Sequence, residues 1–452
     1  MVLKVYNTLT RKKEEFKPLK GKRVNLFVCG ITSYDFPHIG HAKTYTQFDF
    51  IAKYLRYKGY DVFYLQNITD LDDKIIQRAK ELNITPKELA RKYEKIYLEN
   101  MKKLHNTSVT KYARATDYID AIIKQVKNLI KKGYAYKISD GWYFDLSKFK
   151  EYGKLSGRTT EQAEDAVSRI DESKDKKNKG DFCLWKFSKK DEPTWESEIG
   201  KGRPGWHIED TAITESFFGP QYDIHGGAID LIFPHHEAEI AQQESASGKK
   251  PFVKYWMHTG FLNVNGQKMS KSLGNFITIN DIFKKYDYRL LRFFFLSSHY
   301  RSPIDFSEEV IVQSKNALQR LNDFLSTCKN KPIKKENRKF VEETKKRFFE
   351  ALDDNFDTPK AFAILFDFIR DVNKNGVDGT CYKFLLEVNK IFDILDVKEA
   401  KLSREIKDLV KKREKARKEG KFREADKIRE LLKNKGIILE DSINGTKIKK
   451  LK

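Results

Sequence analysis

Apolar and polar positions along the first 75 residues predict an α/β arrangement. The run VNLFVCG (24–30) is apolar, TYTQFDFIAKYLRYKGY (44–60) has helical spacing, and DVFYLQNIT (61–69) is apolar again. A strand–helix–strand unit predicts a parallel sheet with a ligand site at the carboxyl ends of its strands. We expect Gly30 to end the first strand and the polar run 67–74 to close the second beside that site.

Helical patterns dominate the later chain. We predict helices over 75–104, with a break near Pro86, and over 115–133, followed by short strands between 134 and 146. The lysine-rich run 172–179 is interpreted as an insertion loop, and the α/β pattern returns at 202–210. From about 276 the chain is predicted helical almost throughout, including the charged segment 402–434, before a strand-like tail after Gly436.

Composition narrows the possible partners and the compartment. The net charge of +23 and pI near 9.4 favour a polyanionic partner, nucleic acid before membrane, although AT-rich genomes also raise lysine content. No run of 18 apolar residues and no apolar signal core occurs, and the four cysteines show no paired spacing. We therefore expect a cytoplasmic protein without membrane spans. All nine histidines fall between 38 and 299, which places the chemistry in the first two-thirds.

Two histidines stand at the predicted start of the first helix, in Pro37-His38-Ile39-Gly40-His41. Proline suits a first helical turn, and a spacing of three puts both imidazoles on one face. Free backbone N–H groups, the positive end of the helix dipole and a glycine without a β-carbon favour a nucleotide here. Roles as helix caps or core polar groups are the alternative, and the residues alone leave both open.

A second polar stretch is IHGGAIDLIFPHHEAE (224–239). His235 and Glu239 are four residues apart and share a helix face, where they can bind one ion, while His236 points elsewhere. A surface hydrogen bond between the pair is the alternative, and Cys29 is by default a small core residue. The glycine pair at 226–227 indicates either a close backbone approach or a turn.

A loop between glycines, NGQKMSKSLG (265–274), holds two lysines and two serines. Lysine is a mobile point charge that suits a polyphosphate whose charge rises during reaction. Alone, such a loop is interpreted as solvated. Together with the histidine pair it favours phosphate chemistry.

These segments resemble a known family. HIGH (38–41) and KMSKS (268–272) resemble the two signature motifs of class I aminoacyl-tRNA synthetases. Other words resemble cysteinyl-tRNA synthetases: YNTLT (6–10), FVCGITSYD (27–35), NITDLDDK (67–74), GWHIE (205–209), FPHHEAEIAQ (233–242) and HYRSPIDFS (299–307). The similarity extends over almost the whole chain; it is strongest from 25 to 310 and weaker after 400. Because several motifs occur in the same order, a chance match is negligible.

The resemblance implies an ATP-dependent ligase that makes cysteinyl-adenylate and passes the cysteinyl group to its tRNA. The implied fold is α/β, a Rossmann-like parallel-sheet catalytic core with an inserted connective region, then an α-helical bundle and a small C-terminal domain. We divide it into core 1–110, insertion 111–201, core 202–275, a linker with the end of the KMSKS region 276–310, bundle 311–400 and a basic anticodon-binding module 401–452. We expect a monomer that uses ATP with Mg²⁺.

The resemblance also assigns residues by position. His38, His41, Lys268 and Lys271 are the implied catalytic residues, stabilising charge on the ATP phosphates and the departing pyrophosphate by electrostatics and positioning. ATP would be bound by Gly40, Lys271 and Asp230. Cysteine would be bound by Gly30, Thr69, Trp206 and His225, although Trp206 equally suits a core aromatic. A zinc ion would be bound by Cys29, Asp210, His235 and Glu239.

Asp210 departs from the family pattern, which usually has cysteine at this position. A carboxylate keeps the formal charge of a thiolate, and Zn–O bonds of about 2.0–2.2 Å make coordination feasible. A harder oxygen ligand should nevertheless bind zinc less tightly. A zinc ion that takes the substrate sulfur as thiolate would separate cysteine from serine far better than an apolar pocket. We therefore expect one zinc per chain, with a weakly held or absent ion as the alternative.

The C-terminal residues fit tRNA binding. From 401 to 452 there are 19 Lys and Arg against 9 Asp and Glu, a net charge of +10 that suits a phosphate backbone. For 402–434 alone, a solvated charged helix is the alternative. Two other functions are the alternatives: a ligase passing cysteinyl-adenylate to an amino sugar, as in mycothiol synthesis, and a non-catalytic RNA-binding relative. The basic extension argues against the first, and the intact histidine and lysine motifs against the second.

Overall fold

The computed structural model describes residues 2–158, 173, 175–270, 273–333, 335–397, 404–435, 437–442 and 445–450. The strands are β1 Lys4–Asn7, β2 Lys12–Glu15, β3 Arg23–Thr32, β4 Asp61–Thr69, β5 Lys111–Arg114, β6 Ala135–Ile138, β7 Gly141–Phe144, β8 Phe182–Phe187, β9 Gly202–Pro204, β10 Tyr222–Ala228, β11 Val253–Thr259, β12 Leu262–Val264, β13 Gln267–Lys268, β14 Ile304–Phe306, β15 Ile437–Ser442 and β16 Gly445–Lys450.

The α-helices are α1 Ile39–Tyr57, α2 Asp73–Glu81, α3 Pro86–Lys103, α4 Ile119–Lys131, α5 Ile208–Phe218, α6 Glu237–Ser247, α7 Ile279–Phe283, α8 Tyr288–Leu296, α9 Glu308–Cys328, α10 Lys335–Asp353, α11 Thr358–Asn375, α12 Gly379–Phe392, α13 Arg404–Lys418 and α14 Phe422–Asn434. Contacts divide the chain into two units, Met1–Leu395 and Asp396–Lys452. Among the described residues, no helix has the length and apolarity needed to cross a bilayer.

A five-stranded parallel sheet forms the centre of the first unit, in the order β11-β10-β3-β4-β5. The chain passes from β3 to β4 on one side, whereas β10 joins β3 on the other. Such a change of direction opens a crevice at the carboxyl ends of the strands, where ligands bind in folds of this class. The predicted α/β class and parallel sheet are therefore confirmed.

The first strand does not end at Gly30, as the sequence predicted. Strand β3 continues to Thr32 and stays paired with β4 across an irregular step between Val28 and Ile31. A β-carbon at Gly30 would lie 1.8 Å from the backbone oxygen of Asn67. Glycine therefore marks a close approach of two strands here, not the end of one.

A close approach also explains the glycine pair in β10. A β-carbon at Gly226 would lie 2.4 Å from the Phe48 ring, and one at Gly227 would lie 2.7 Å from the His236 ring. Of the two interpretations of this pair, the close backbone approach is the one observed. The strand thus passes directly beside α1 and beside a buried imidazole.

A second sheet, antiparallel and in the order β6-β7-β8-β9, lies between the two halves of the parallel sheet in sequence. The predicted break at Pro86 is confirmed, since α3 begins there with Thr85 as its cap. The predicted loop 172–179 lies partly outside the described residues. Helices α9 to α12 form the bundle after β14, and α12 packs against α1.

The charged segment 402–434 was predicted as one helix, but its described residues, from 404 onward, form two helices, α13 and α14. The first ends at Lys418, and Gly420 adopts φ +72°, which favours glycine and turns the chain into α14. Val410, Leu432, Ile437 and Leu439 pack together as a small core of this unit. Strands β15 and β16 pair antiparallel, so the strand-like tail is confirmed.

Candidate active site and metal centre

Four predicted metal ligands lie together at the carboxyl end of β3. Cys29 Sγ lies 3.4 Å from Asp210 Oδ2, which lies 3.1 Å from His235 Nε2. The same nitrogen lies 3.2 Å from Glu239 Oε1. Cys29 belongs to β3, Asp210 to the first turn of α5, and Glu239 to the first turn of α6. The ligand atoms of Cys29, Asp210 and His235 all lie within 4.8 Å of one another.

The donor set fits a zinc ion. All four side chains are buried, and both carboxylate oxygens of Glu239 accept no hydrogen bond from any described residue. A buried carboxylate without a donor is unfavourable unless a cation compensates it. One sulfur, one imidazole nitrogen and carboxylate oxygens are the ligand types that zinc takes in proteins.

The electrostatics of this cluster also favour a cation. Burial, assisted by the negative charges of Asp210 and Glu239, raises the pKa of the Cys29 thiol well above its usual value. Burial raises the pKa of Glu239 in the same direction, and the charge of Asp210 adds to the effect. The cause in both cases is anionic groups crowded together away from water. A bound dication would reverse it and favour the deprotonated ligands.

Further histidines surround the ligands and hold them in place. His207 Nδ1 lies 2.8 Å from His235 Nδ1, so the contact engages that nitrogen and leaves Nε2 facing Asp210 and Glu239. The prediction that His236 points elsewhere is wrong, because its Nε2 lies 4.0 Å from Glu239 Oε1, and the ligand atoms of His225, His236 and Glu239 lie within 4.8 Å of one another. Its Nδ1 lies 2.9 Å from His258 Nε2. Burial, with the neighbouring imidazoles, lowers the pKa of His207 and His236 well below the usual value, so both rings are neutral at pH 7.

The residues predicted to bind the amino acid line the same region. Gly30 N donates to Asn67 Oδ1 at 2.5 Å, and Thr69 Oγ1 donates to Glu209 Oε2 at 2.9 Å. The half-buried Trp206 indole stacks on His235 with ring centroids 4.3 Å apart. Trp206 therefore covers the candidate metal centre.

His225 lies deeper in the cluster than a residue that only lines a pocket. Its Nδ1 lies 2.7 Å from the Tyr222 hydroxyl and 3.5 Å from Glu239 Oε2. Burial, with neighbouring imidazoles, lowers its pKa well below the usual value. The Tyr222 hydroxyl thus engages His225 Nδ1, and the ring lies beside the carboxylate of Glu239 without a hydrogen bond to it.

The two signature histidines stack on each other at the start of α1, with ring centroids 3.7 Å apart. His38 N donates to His41 Nδ1, and Gly40 N donates to His38 Nδ1, at 3.2 and 3.1 Å. Because each Nδ1 accepts a hydrogen bond, each neutral ring carries its proton on Nε2. Burial, with the neighbouring His38, lowers the pKa of His41 well below the usual value.

The expectation of free helix amides at this position is wrong. Ile39 N donates to Ile277 O, and Gly40 N is occupied by His38. The backbone N–H groups of Ile39 and Gly40 are therefore not available to an anion at this helix start.

The remaining predicted residues are exposed or lie outside the described residues. Lys268 is exposed on β13, with its Nζ over the Phe261 ring at 5.6 Å. Asp230 is exposed in a short turn after β10. Lys271 lies outside the described residues.

Comparison with known families covers nearly the whole chain. The model of the class I (C) tRNA synthetase catalytic domain matches residues 15–316, a DALR domain matches 347–395, and the cysteinyl-tRNA ligase anticodon-binding domain matches 399–447. The cysteine–tRNA ligase of Thermococcus gammatolerans is 46% identical over 100% of both chains. That of Clostridioides difficile is 44% identical over 99% of this chain and 100% of its own. The chain belongs to the cysteinyl-tRNA ligase family.

Solved structures support the fold independently. A Mycobacterium tuberculosis methionyl-tRNA synthetase bound to methionyl-adenylate aligns with a TM-score of 0.61, covering 82% of this chain and 89% of that one. An Agrobacterium radiobacter K84 LeuRS in a ternary complex with tRNA also aligns with a TM-score of 0.61, covering 83% and 84%. At 18% and 10% identity these matches concern the fold alone. The family, fold and enzyme class predicted from the sequence are confirmed.

Several residues of this cysteinyl-tRNA ligase site were not singled out from the sequence. Asn67 Nδ2 donates to Asp210 Oδ1 at 2.5 Å, and His207, Glu209 and His258 also contact the cluster or its neighbours. Asn67 lies near the carboxyl end of β4 and opens the polar run 67–74, so its position near a strand end was a usable signal. The histidines carried no spacing that marked them, because their partners lie on other strands and helices.

Proposed function

We propose that this cysteinyl-tRNA ligase joins L-cysteine to its tRNA in the crevice at the carboxyl ends of β3 and β10. In the first step the cysteine carboxylate attacks the α-phosphorus of ATP, giving cysteinyl-adenylate and pyrophosphate. In the second step a ribose hydroxyl of the terminal adenosine of tRNA attacks the acyl carbon, and AMP leaves. No covalent bond to the protein is needed, so catalysis is by positioning and electrostatics.

The amino acid would lie over the cluster of Cys29, Asp210, His235 and Glu239, which carries the proposal. A zinc ion held by these four residues would supply a soft Lewis-acid position that accepts a thiolate and discriminates against a hydroxyl. Thr69 and Trp206 would line the cysteine site, and Gly30, which has no side chain, would let the cysteine lie close to the backbone.

ATP would bind beside the start of α1. His38 and His41 present their protonated Nε2 atoms as hydrogen-bond donors for phosphate oxygens. A β-carbon at Gly40 would lie 2.9 Å from the His38 ring, so glycine here lets that ring, and ATP beside it, lie close to the backbone. The charges of Lys268 and Lys271 would stabilise the pyrophosphate as it departs. Asp230 would contact the ribose. Mg²⁺ would accompany ATP as part of the substrate.

We assign tRNA binding to the bundle and to the C-terminal unit. The unit carries a net charge of +10 over 401–452, so its affinity for tRNA should fall steeply with salt. An amino-sugar acceptor would need no such surface, and the match to an anticodon-binding domain argues against that alternative. We further propose that the enzyme acts as a monomer in the cytoplasm.

Exchange of labelled pyrophosphate into ATP tests the amino acid assignment. The exchange should depend on cysteine and should fail with serine at equal concentration. Equal rates with serine would refute the assignment.

Anomalous scattering at the zinc edge, from crystals soaked with cysteine, tests the metal. The expected signal lies between Cys29 Sγ and His235 Nε2, and a cysteine-selective enzyme without that signal would refute the zinc assignment.

A further inference from the structure

Lys43 is a buried lysine that no part of the proposed mechanism uses. It lies on α1, two residues after His41, and only 1% of its surface is exposed. Among the described residues it has no carboxylate partner, and burial lowers its pKa to about 7. A lysine buried without a counter-charge is unfavourable, so an apolar residue here would favour stability unless the ammonium donors are needed.

The donors of Lys43 are used by three backbone carbonyls. Its Nζ lies 2.5 Å from Gly260 O, 3.3 Å from Ser302 O and 3.5 Å from Tyr300 O. Gly260 stands just before β12, and Ser302 just before β14. These two strands pair in parallel from Leu262 and Ile304 onward. Lys43 therefore joins the beginnings of both strands to α1.

The sheet that Lys43 holds carries the first lysine of the KMSKS motif. Strand β12 pairs antiparallel with β13, with Asn263 opposite Lys268. The backbone position of Lys268 thus follows that of β12. On the far side of the loop, Ile279 N donates to Pro37 O and Ile39 N donates to Ile277 O. The first turn of α1 therefore fixes the segment after the loop, and Lys43 fixes the segment before it.

The backbones of Gly260 and Ser302 lie too close together to accommodate a side chain at position 260. A β-carbon there would lie 2.5 Å from the backbone carbon and oxygen of Ser302. One residue earlier, Thr259 Oγ1 lies 2.9 Å from Thr44 Oγ1, which gives a second contact between α1 and the end of β11. The contact surface is thus built from close backbone approaches, with Lys43 supplying its hydrogen-bond donors.

We propose that Lys43 is a positioning residue for amino acid activation, which holds the β12–β13 hairpin, and with it Lys268, in register with His38 and His41. The proposal rests on the proposed function, since it concerns the step that those residues serve. It does not place Lys43 in contact with substrate.

The test compares Lys43→Met, which keeps length and removes the donors, with Lys43→Arg, which keeps donors. Lys58→Met is the matched control, because Lys58 caps the same helix at its other end and pairs with Asp353 at 3.0 Å. In cysteine-dependent pyrophosphate exchange, Lys43→Met should lower kcat by about 10- to 100-fold and leave the KM for cysteine unchanged. Lys43→Arg should restore most of the rate, and Lys58→Met should match the wild type.

A wild-type kcat in folded Lys43→Met would overturn the proposal. A fall in kcat accompanied by an equally large rise in the KM for cysteine would also overturn it. If Lys43→Met does not fold, Gly260→Ala decides, because its β-carbon displaces Ser302 while Lys43 stays intact: a selective loss of kcat is expected, and a normal kcat overturns the proposal. Hydrogen exchange tests the positioning role of Lys43 independently of which amino acid the enzyme activates. Amides of 262–268 should exchange about tenfold faster or more in whichever of the two variants folds, even if the wild type activates another amino acid, and unchanged exchange would overturn the proposal.

Discussion

Glu239 offers a test in which metal binding and stability change in opposite directions. Its carboxylate is fully buried, neither oxygen accepts a hydrogen bond from a described residue, and burial together with Asp210 raises its pKa. Without a metal, the group must either carry uncompensated charge or take up a proton, and both are unfavourable. Glu239→Gln keeps the shape, removes the charge and adds an N–H donor that can face Asp210.

The sizes of the two effects follow from this environment. Relieving one unsatisfied buried polar group is worth about 1–3 kcal/mol, so Glu239→Gln should stabilise the metal-free protein by about that amount. Zinc at 100 times its Kd should stabilise the wild type by about 2.7 kcal/mol. The variant should lose most of this gain, because an amide oxygen is a poor substitute for a carboxylate ligand. The order of stability should therefore reverse between the two conditions.

Urea unfolding in the presence of a chelator and in the presence of zinc measures both effects. Glu244→Gln is the matched control: Glu244 is also buried, on the same helix, but it accepts the Phe252 N–H at 3.1 Å and pairs with Lys154 at 2.6 Å. Because it breaks satisfied contacts, the control should lower stability equally in both conditions. If Glu239→Gln responds to zinc as the wild type does, or is less stable in chelator, the argument fails.

Four further predictions concern separate parts of the molecule. Lys271→Ala should slow pyrophosphate exchange by about 10²–10³-fold with cysteine binding intact; an unchanged rate removes it from the mechanism. Asp210→Cys should retain more zinc than the wild type after dialysis against chelator, by elemental analysis, because thiolate is the softer ligand. Arg292→Met removes one of two cations that pair with buried Asp49, since Lys53 stays at 2.9 Å, and it also leaves the buried acceptors Phe392 O and Asn106 Oδ1 without their donor. It should cost about 3–5 kcal/mol in urea unfolding, whereas the exposed Arg370→Met should cost under about 1 kcal/mol. Burial lowers the pKa of His258 to about 3, so as pH falls below about 6.5 the unfolded chain binds a proton at this residue and the folded chain does not. At pH 5 this difference should lower the free energy of unfolding by about 2 kcal/mol. In urea unfolding at pH 7 and pH 5, His258→Asn should remove this part of the loss of stability.

Local patterns predicted the parallel sheet and most helices because each strand and helix shows its period within a few residues. The same patterns failed at Gly30, where the cause is a contact with Asn67, 37 residues away. A glycine in a strand indicates either an end or a close approach, and the choice depends on the neighbouring strand, which local sequence does not specify.

The candidate metal centre was beyond local patterns. Cys29 and Asp210 are 181 residues apart, and only the strand order of the sheet brings them together. The His235–Glu239 spacing indicated an ion site, but equally a surface hydrogen bond. The complete ligand set came from the resemblance of whole segments to a family, not from the spacing of residues.

Helix α1 shows why Lys43 could not be recognised from the sequence. A lysine among polar residues in a helix is ordinarily solvent-exposed. Here α1 lies between the parallel sheet and the bundle, and Lys43, Thr44, Gln47 and Asp49 are all buried within it. Their partners are backbone carbonyls and side chains from later elements, so their burial is decided by tertiary structure.

Asp210 stands where the family resemblance leads us to expect cysteine, and its contacts extend beyond the candidate metal ligands. Asp210 uses its two oxygens differently: Oδ1 accepts from Asn67 Nδ2 at 2.5 Å, while Oδ2 faces Cys29 and His235 at 3.4 and 3.1 Å. A thiolate has a single donor atom and could not make both contacts at once. The same Asn67 also accepts the Gly30 N–H through Oδ1, which ties the carboxylate to the strand that carries Cys29. These contacts hold the aspartate in one orientation that directs Oδ2 toward Cys29 and His235, and we expect this restraint to offset part of the zinc affinity that a carboxylate lacks relative to a thiolate.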